Sequence, residues 1–435
     1  MKFQKKKSIA IIGLGYVGLP LISKFLNSKK YNVLGIENDV KKINLLKKNT
    51  SYVSHISKDE IKNISKNSYI LTNNYKYLEK VDFIIFTLPT PITKNRDPDM
   101  SFISSSLKQA KKYFKKNQLI VLESTVYPGA TADYFLPVFK ELNLSVGKNI
   151  FLGFSPERED PGNKNYNISN ITKIVSGFSK KCLKKCDNLY KSINIKTKKV
   201  SSIKTAEVTK LYENIFRSVN IGLVNEMKLI YDKMNIDIHE VIDAAKTKPF
   251  GFKAFYPGPG LGGHCIPIDP YLLTWKAKQY DINTKFIELS ADINNSMPNY
   301  IVEKINSALN SQGNNFLNSK ILIIGAAYKK NVNDVRESPA IKIIENLFSK
   351  KANIFYHDDF IKRIKIQINK KNYSLRKKTH YLKSIELTKK NLKSMDIVCL
   401  VTDHDYINYD IIRSSSKMIV DCRGKFKKNK KIIGA

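Results

Sequence analysis

Short apolar runs alternate with longer segments of helical periodicity over the first 200 residues. Six of these runs predict β-strands, at residues 8–12, 32–36, 82–88, 119–123, 150–154 and 173–176. Segments with apolar residues at helical spacing lie between most of them, for example at 40–48, 102–114 and 132–142. Strands that alternate with helices are typical of a parallel sheet covered on both faces. We therefore predict a doubly wound α/β domain over residues 1–200.

The pattern changes in the middle of the chain. Residues 205–234 form one long helical stretch with no proline and a single glycine, Gly222. A second helical region follows a glycine-rich segment and covers residues 270–308. A helix of this length suits a bridging or dimer-forming element better than a sheet domain. Residues 201–310 are thus predicted to form a helical domain, and the protein a homodimer or a higher homo-oligomer.

The strand and helix alternation returns near Lys320. Apolar runs at 321–325, 353–357, 396–401 and 418–421 predict strands, and residues 311–315 form a plausible linker. A third domain is therefore expected over residues 311–435. The predicted fold class is α/β, with two Rossmann-like, doubly wound parallel-sheet domains joined by a helical middle domain that contains a long central helix.

The charge balance is extreme and raises the question of a polyanionic partner. The 435 residues include 75 Lys and Arg against 38 Asp and Glu, a formal net charge of +37. The excess is mostly lysine scattered over predicted helices and loops, and interleaved aromatic residues do not form an RNA-binding signature. We therefore expect no specific nucleic-acid partner. The positive field could still speed the capture of a small anionic ligand.

The N-terminus imitates a membrane anchor. Three lysines, at positions 5–7, precede a mostly apolar run at 8–26. This run contains Gly13, Gly15, Gly18 and Pro20 and lacks a small-residue cleavage site, so a strand, a glycine turn and a helix over 16–26 describe it better. The five cysteines suggest no disulfide framework. We expect a protein of the reducing cytoplasm that does not insert into membranes.

The segment Gly13-Leu-Gly15-Tyr16-Val17-Gly18 fits a dinucleotide-binding fingerprint. It follows a predicted strand and opens a predicted helix, where phosphate can bind the helix N-terminus. Glu37 ends the second strand, 24 residues after Gly13, where a carboxylate would accept the ribose hydroxyls. An acid there repels a 2′-phosphate, so NAD is favoured over NADP. The alternative is a turn-forming glycine cluster with a surface glutamate.

The most unusual segment covers residues 258–270. Four glycines within six residues cost chain entropy, which indicates a close backbone approach to a bulky group. Asp269 with Pro270 resembles a helix N-cap, so Cys265 would lie just ahead of a helix N-terminus that favours its thiolate. The alternative for a cysteine is a small buried hydrophobe. We favour that alternative for the other four cysteines, Cys182, Cys186, Cys399 and Cys422.

Three further segments carry polar groups. Lys210, Asn214 and Arg217 would share one face of the long helix. An ammonium beside an amide there could hold an oxyanion, or it could lose its proton if desolvated and act as a base. A solvated helix face is the alternative. Residues 123–129 and 154–162 follow predicted strands at the carboxyl edge of the sheet, where α/β proteins bind ligands. No cluster of residues predicts a metal site.

With these segments in order, the chain resembles the UDP-glucose/GDP-mannose dehydrogenase family over nearly its whole length. Within that family it looks most like the UDP-N-acetylglucosamine 6-dehydrogenases of bacterial surface-polysaccharide pathways. The resemblance rests on the glycine fingerprint, Lys210, Asn214 and segments at 87–91, 124–129, 155–158, 246–251, 258–270, 325–329, 333–339 and 421–424.

The resemblance implies an NAD-dependent, four-electron oxidation of a sugar C6 alcohol to a carboxylate. Cys265 would attack the intermediate aldehyde to give a thiohemiacetal, which is oxidised to a thioester and hydrolysed. Lys210 and Asn214 would stabilise the oxyanions. Asp269 would help to activate water, and Thr125 with Glu157 would position a water for the first oxidation.

The resemblance also implies the binding residues. Cofactor contacts are expected at Gly13, Gly15, Tyr16, Val17, Gly18, Glu37, Thr90, Thr125 and Glu157. The last domain would bind the UDP part, and substrate contacts are expected at Glu157, Arg158, Lys210, Asn214, Tyr256, Gly260, Gly262, Gly263, Lys329 and Arg336.

Several alternatives stay open. UDP-glucose and UDP-N-acetylmannosamine are possible substrates within the family. Members that accept UDP-glucose often carry an arginine where this chain reads Pro249-Phe-Gly251, which leaves Lys248 or Lys253 as candidates for its role. A two-electron 3-hydroxyacid dehydrogenase would not need Cys265, and an inactive scaffold would need none of these residues.

Overall fold

The computed structural model describes residues 6–53, 56–159, 166, 168–263, 266–369 and 377–435. The chain packs into two compact units. The first unit contains Met1–Glu213 with Ile268–Asn283, and the second contains Asn214–Pro267 with Thr284–Ala435. The predicted three-domain division at residues 200 and 310 stays a prediction.

The elements are labelled in chain order. The strands are β1 Lys7–Ile12, β2 Tyr31–Ile36, β3 Ile70–Thr72, β4 Phe83–Phe86, β5 Leu119–Leu122, β6 Phe151–Phe154, β7 Lys173–Gly177, β8 Thr197–Lys199, β9 Lys320–Ile324, β10 Asn353–His357, β11 Arg363–Asn369, β12 Lys377–Lys383, β13 Ile397–Leu400, β14 Ile419–Asp421 and β15 Ile432–Gly434. The α-helices are α1 Gly18–Asn27, α2 Val40–Lys47, α3 Lys58–Asn67, α4 Ser101–Ala110, α5 Ala130–Glu141, α6 Lys180–Lys191, α7 Ile203–Lys233, α8 Ile238–Ala245, α9 Asp269–Lys278, α10 Lys285–Asn310, α11 Pro339–Ser349, α12 Lys389–Ser394 and α13 Tyr409–Ser415. Short 3₁₀ helices lie at Tyr75–Lys80 and Lys111–Tyr113.

The first unit is built on one sheet. Its described residues form eight strands in the order β3-β2-β1-β4-β5-β6-β7-β8. The register of β1 on β2 runs from Lys7 opposite Tyr31 to Ile12 opposite Ile36. All neighbours are parallel except β6 and β7, which pair antiparallel through Gly153 and Phe154. The strand order reverses between β1 and β4, and ligands bind at such a switch point.

The predicted α/β class is confirmed, and the six strands predicted for the first unit correspond to β1, β2 and β4 to β7. The predicted parallel sheet contains one antiparallel pair, β6 with β7. The patterns missed β3 and β8, which have three residues each and lie at the two edges. An edge strand needs few apolar residues because backbone pairing on one side holds it.

The second unit joins helices to a second sheet. Five of its described strands form a parallel sheet in the order β10-β9-β13-β14-β15. The strands β11 and β12 form a separate antiparallel hairpin, which the sequence patterns did not predict. Helices α7 and α10 cross closely at Gly222. A Cβ added at this position would lie only 3.0 Å from the Cβ of Ser290.

Four cysteines are buried and free, as the sequence predicted. Cys182, Cys186 and Cys399 are 0% exposed and Cys422 is 1% exposed. Burial raises the pKa of the Cys186 thiol, so this group stays protonated and packs as a small apolar side chain.

Helices α7 and α10 have 31 and 26 residues, which is long enough to cross a bilayer. Across the described ranges, the structure contains no helix that combines the length and apolarity needed to span a bilayer.

Candidate functional site

The glycine turn between β1 and α1 is shaped as a cradle. Gly13 has a φ of +94°, and a Cβ at this position would lie 2.5 Å from the carbonyl oxygen of Thr87. A Cβ on Gly18 would overlap the carbonyl oxygen of Gly13. By contrast, among the described residues no atom beyond Gly15 and its two chain neighbours lies within 4 Å of its Cβ position. The turn therefore needs glycine for packing at two positions and leaves open space at the third, where a phosphate could approach the backbone.

Glu37 lies beside this turn, as the spacing predicted. Its Oε2 accepts a hydrogen bond from the backbone N–H of Leu14 at 3.0 Å, and its Oε1 accepts one from Asp39 at 3.1 Å. Tyr16 and Val17 form the turn into α1, with Val17 directly before its first residue. The carboxylate thus stands at the end of β2 next to the open space at Gly15.

The polar ends of three adjacent strands are hydrogen-bonded to one another. The Thr87 hydroxyl after β4 donates to the carbonyl oxygen of Gly13 after β1 at 2.6 Å. The Thr90 hydroxyl donates to the carbonyl oxygen of Thr125 after β5. The Ser124 hydroxyl accepts from the Leu88 N–H at 2.9 Å. The fold therefore brings the glycine turn, Thr90 and Thr125 to one edge of the sheet.

Glu157 follows β6 at the same edge. Its Oε1 accepts hydrogen bonds from the backbone N–H groups of Arg158 and Glu159, each at 2.7 Å. Burial by itself would raise the pKa of Glu157, but Lys173, the two N–H groups and Lys210 together lower it. Glu157 is therefore ionised at neutral pH and is suited to accept a proton or hold a water.

The Arg158 guanidinium is engaged within the first unit. It forms a fork with the carboxylate of Glu213, with N–O distances of 3.2 and 2.6 Å. It also donates to the carbonyl oxygen of Thr172 at 2.6 Å. This arrangement ties the loop after β6 to helix α7, so Arg158 positions this loop whether or not it also contacts a ligand.

Helix α7 carries the predicted Lys210 and Asn214 one turn apart. Both are buried, at 8% and 4% exposure. Arg217 follows on the same helix and is exposed. Burying an ammonium or an amide costs free energy of folding unless the group is paired or hydrogen-bonded. The burial of both residues separates this pair from a solvated helix face.

Glu207 on α7 has a role that the sequence patterns missed. Its buried carboxylate accepts hydrogen bonds from the Gly129 N–H at 2.6 Å, the Thr131 N–H at 2.9 Å and the Thr131 hydroxyl at 2.6 Å. These groups belong to the N-terminus of α5, where an acceptor stabilises the free N–H groups. Glu207 thereby fixes α7 against the loop that carries Thr125.

Asp269 is 2% exposed and begins helix α9, which belongs to the first unit. The predicted N-cap is wrong by one position, because Ile268 takes the cap position and Asp269 is already helical. The ring of Trp275 on α9 packs on Tyr127, with centroids 4.8 Å apart. This contact holds α9 on the loop after β5.

The glycine loop of the second unit is anchored by buried asparagines. The Asn225 Oδ1 accepts from the Gly258 N–H at 3.0 Å, and the Asn225 Nδ2 donates to the Asn294 Oδ1 at 2.8 Å. Gly260 has a φ of +118°, and a Cβ there would lie 2.9 Å from the carbonyl oxygen of Asn294. These asparagines were not predicted, since amides within helices α7 and α10 give no local sequence signal.

The same loop contacts the segment that follows β9. Cβ atoms on Gly262 and Gly263 would lie 2.7 and 2.8 Å from Tyr328, and the Gly263 N–H donates to the Arg336 carbonyl oxygen at 2.9 Å. The Arg336 guanidinium donates two hydrogen bonds to the carboxylate of Asp334. Lys329, seven residues earlier in the chain, is half-buried. Predicted substrate residues from two distant motifs therefore meet.

Arg423 joins this group although no role was predicted for it. Its Nη1 lies 3.0 Å from the Cβ position of Gly258, and its Nε donates to the carbonyl oxygen of Val401 at 2.7 Å. Tyr256, in contrast, is turned toward α8. Its hydroxyl donates to Asp243 at 3.2 Å and its ring stacks on His239. Cys265 lies outside the described residues, so its predicted role stays a prediction.

Comparison with known proteins assigns the three parts of the chain. Models of the UDP-glucose/GDP-mannose dehydrogenase family match in order. They describe the NAD binding domain over residues 7–194, the central domain over 204–296 and the UDP binding domain over 322–428.

Individual proteins match along most of the chain. Protein CapL from Staphylococcus aureus is 36% identical, over 92% of this chain and 93% of the relative. The UDP-N-acetyl-D-glucosamine 6-dehydrogenase of Pseudomonas aeruginosa is 34% identical, over 82% of this chain and 84% of the relative. The solved UDP-D-ManNAc dehydrogenase of Pyrococcus horikoshii superposes with a TM-score of 0.85, at 28% identity and 98% coverage of both chains.

Proposed function

Because the chain belongs to the UDP-glucose/GDP-mannose dehydrogenase family, we propose that it oxidises UDP-N-acetylglucosamine to the corresponding uronic acid with NAD. The main support is the first unit's sheet edge, where an open glycine cradle, an ionised Glu157 and the buried Lys210 belong to one compact unit. Such a set of groups suits a dehydrogenase better than a binding protein. The choice of sugar is supported by the relative from Pseudomonas aeruginosa.

The overall change fixes what the residues must supply. A primary alcohol and one water become a carboxylate, with release of two hydrides and three protons. Gly13, Gly15 and Gly18 would hold the pyrophosphate of NAD, which would supply the acceptor for both hydrides. Glu37 would hold the ribose hydroxyls, and Thr90, Thr125, Tyr16 and Val17 would line the same cradle.

The protein groups handle the protons and the covalent step. Glu157 and Thr125 would hold a water that takes the alcohol proton. The Cys265 thiolate would then add to the aldehyde carbon, and Lys210 and Asn214 would stabilise the resulting oxyanion.

Hydrolysis restores the enzyme. After the second hydride has left, a water would attack the thioester carbon while Asp269 takes its proton. The C–S bond then breaks and the sulfur leaves as thiolate. Arg158, Tyr256, Gly260, Gly262, Gly263, Lys329 and Arg336 are the residues that we propose to bind the nucleotide sugar.

The product is an activated acidic sugar, which suits surface-polysaccharide synthesis. We propose a cytoplasmic location, because a free Cys265 thiolate requires a reducing compartment.

Limiting amounts of each candidate sugar with excess NAD test this function. We expect two NADH per UDP-N-acetylglucosamine and an acidic product, with slower turnover of UDP-N-acetylmannosamine and UDP-glucose. One NADH per sugar would contradict the four-electron reaction. Faster turnover of UDP-N-acetylmannosamine would instead assign that substrate, which the Pyrococcus horikoshii structure makes the second candidate.

The predicted homodimer is supported by an apolar stripe in the second unit. Phe216, Leu223 and Ile230 recur every seven residues on α7 and are 40%, 54% and 45% exposed. Phe286 and Leu289 on α10 are 79% and 58% exposed. A heptad repeat of exposed apolar residues is typical of a helix that packs on a partner helix.

Sedimentation equilibrium at micromolar concentration is expected to give at least twice the chain mass. Leu223→Asp with Ile230→Asp should give the monomer, because two carboxylates cannot be buried at low cost in an apolar seam. Phe178→Asp changes an equally exposed aromatic residue away from α7 and α10 and should leave the mass unchanged. A monomer before substitution would refute the assembly.

A further inference from the structure

A buried charge cluster lies behind Glu157 in the first unit. The Lys173 ammonium, at the start of β7, is 2.8 Å from Oε2 of Glu123 and 3.4 Å from Oε2 of Glu157. Glu123 follows β5 and is 1% exposed, while Lys173 is 5% exposed. The Tyr190 hydroxyl on α6 donates a hydrogen bond to Oε1 of Glu123. Two carboxylates therefore share one ammonium in this described part of the chain.

Burial gives these contacts their weight. Charges that are shielded from water interact much more strongly than charges on the surface, and an unpaired buried ion is costly. Burial raises the pKa of Glu123, while the adjacent Lys173 opposes this rise. Glu123 and Glu157 raise the pKa of Lys173 against the effect of its burial, so the ammonium stays charged. A surface salt bridge would have little of this effect.

We propose that Lys173 is a positioning residue that keeps Glu157 ionised and orients its carboxylate, and that Glu123 limits this effect by competing for the same ammonium. The inference rests on the proposed function, because Glu157 is there assigned to hold the water of the first oxidation. It adds two residues that sequence reasoning did not select for the reaction. Glu123 lies 34 residues before Glu157 and Lys173 lies 16 residues after it, so no local motif joins the three residues.

The other charges around Glu157 define what else could shift its titration. Lys210 approaches from α7 and stabilises the ionised form. Arg158 and Glu159 directly follow Glu157 in the same loop, and Arg158 is paired with Glu213. Burial and the Glu157 charge raise the pKa of Glu159 to about 7. Tyr190 and the protonated Cys186 of α6 lie behind Glu123.

The arrangement predicts opposite effects for its two members. Lys173→Met removes the positive neighbour of Glu157, so the carboxylate becomes harder to ionise and its pKa rises. Glu123→Gln removes a negative neighbour and frees Lys173 for Glu157, so the pKa falls. If Lys173 and Glu123 had only packing roles, the two substitutions would not shift the pKa of Glu157 in opposite directions. A charge at this distance is expected to give shifts of about one pH unit or more.

Infrared titration of the full-length protein measures this directly. The carboxylic acid band of Glu157 is assigned by its loss in Glu157→Gln, and Glu159→Gln removes the neighbouring titration. We expect the Glu157 midpoint to rise in Lys173→Met, to fall in Glu123→Gln and to stay within a few tenths of a unit in Lys173→Arg, which retains the charge. Unchanged midpoints, or shifts in the same direction, would overturn the inference.

The two variants and the kinetic measurement distinguish a folding defect from a failure of the proposed function. If Lys173→Met does not fold, as judged by its thermal transition, the downward shift in Glu123→Gln decides the inference, because this variant leaves every buried charge compensated. The acid limb of kcat/KM for the nucleotide sugar then tests the proposed function separately. An infrared shift without a matching kinetic shift would refute the catalytic use of Glu157 while supporting the action of Lys173 on its ionisation.

Discussion

Replacing Cys265 by serine is expected to abolish acid formation from the UDP-sugar and to lower kcat by about 10⁴-fold. A serine hydroxyl is not ionised near neutral pH, whereas a cysteine thiol reaches its nucleophilic thiolate form far more easily. Without the thiolate, no thioester can form from the aldehyde. In the proposed mechanism the first oxidation does not need the sulfur, so we expect up to one NADH per enzyme-bound sugar. Rapid-quench analysis of product and NADH in Cys265→Ser separates the two oxidations.

A matched cysteine variant controls for the loss of a thiol as such. Cys182 is fully buried in the first unit and serves in packing, so Cys182→Ala should retain two NADH per sugar. Two NADH per sugar and unchanged turnover in Cys265→Ser would mean that the sulfur is not the nucleophile. The reaction would then need a different covalent or water-based route to the acid.

Lys210→Met is expected to lower kcat by about 10³-fold, with a smaller change in KM. Lys210 is 8% exposed on α7 and electrostatically favours the ionised form of Glu157. A preorganised ammonium stabilises an oxyanion most where water is excluded. Methionine matches the length and apolar stem of lysine but carries no charge, so packing is largely retained. Steady-state kinetics with the nucleotide sugar measure the effect.

Lys204→Met is the appropriate control, since it removes the same charge from an exposed position on the same helix. Its turnover should stay within twofold of the unmodified protein. A loss of less than tenfold in Lys210→Met would contradict a role in oxyanion stabilisation. A rise in KM with unchanged kcat would assign Lys210 to ground-state binding of the sugar.

The net charge of +37 gave no direct information about function, and the structure explains why. Lys173 and Lys210, the two lysines to which we propose a role in the reaction, are both buried. Their effect depends on the carboxylates around them, which a sum over the sequence cannot distinguish from surface charge.

Local motifs were predictable because neighbours in the chain determine them. The turn at Gly13, the open space at Gly15 and the carboxylate of Glu37 follow from a strand, a tight turn and a helix N-terminus. The long helix α7 followed from an uninterrupted apolar period. The three-residue edge strands β3 and β8 were missed because they are too short to show an apolar period. Strand β11 was missed although Ile364 and Ile366 alternate with polar residues and are buried, and its pairing with β12 is a tertiary contact.

The sequence by itself determined the fold class, the cofactor turn, the family and the candidate residues of the reaction. These depend on periodicity and on short motifs, which persist whatever the rest of the chain does. Only the tertiary structure decided that Glu207 anchors α5, that Asn225 and Asn294 hold the glycine loop, and that Lys173 joins Glu123 to Glu157. Such contacts form between residues distant in the chain and buried from water. Their strength comes from that burial, which no spacing along the sequence records.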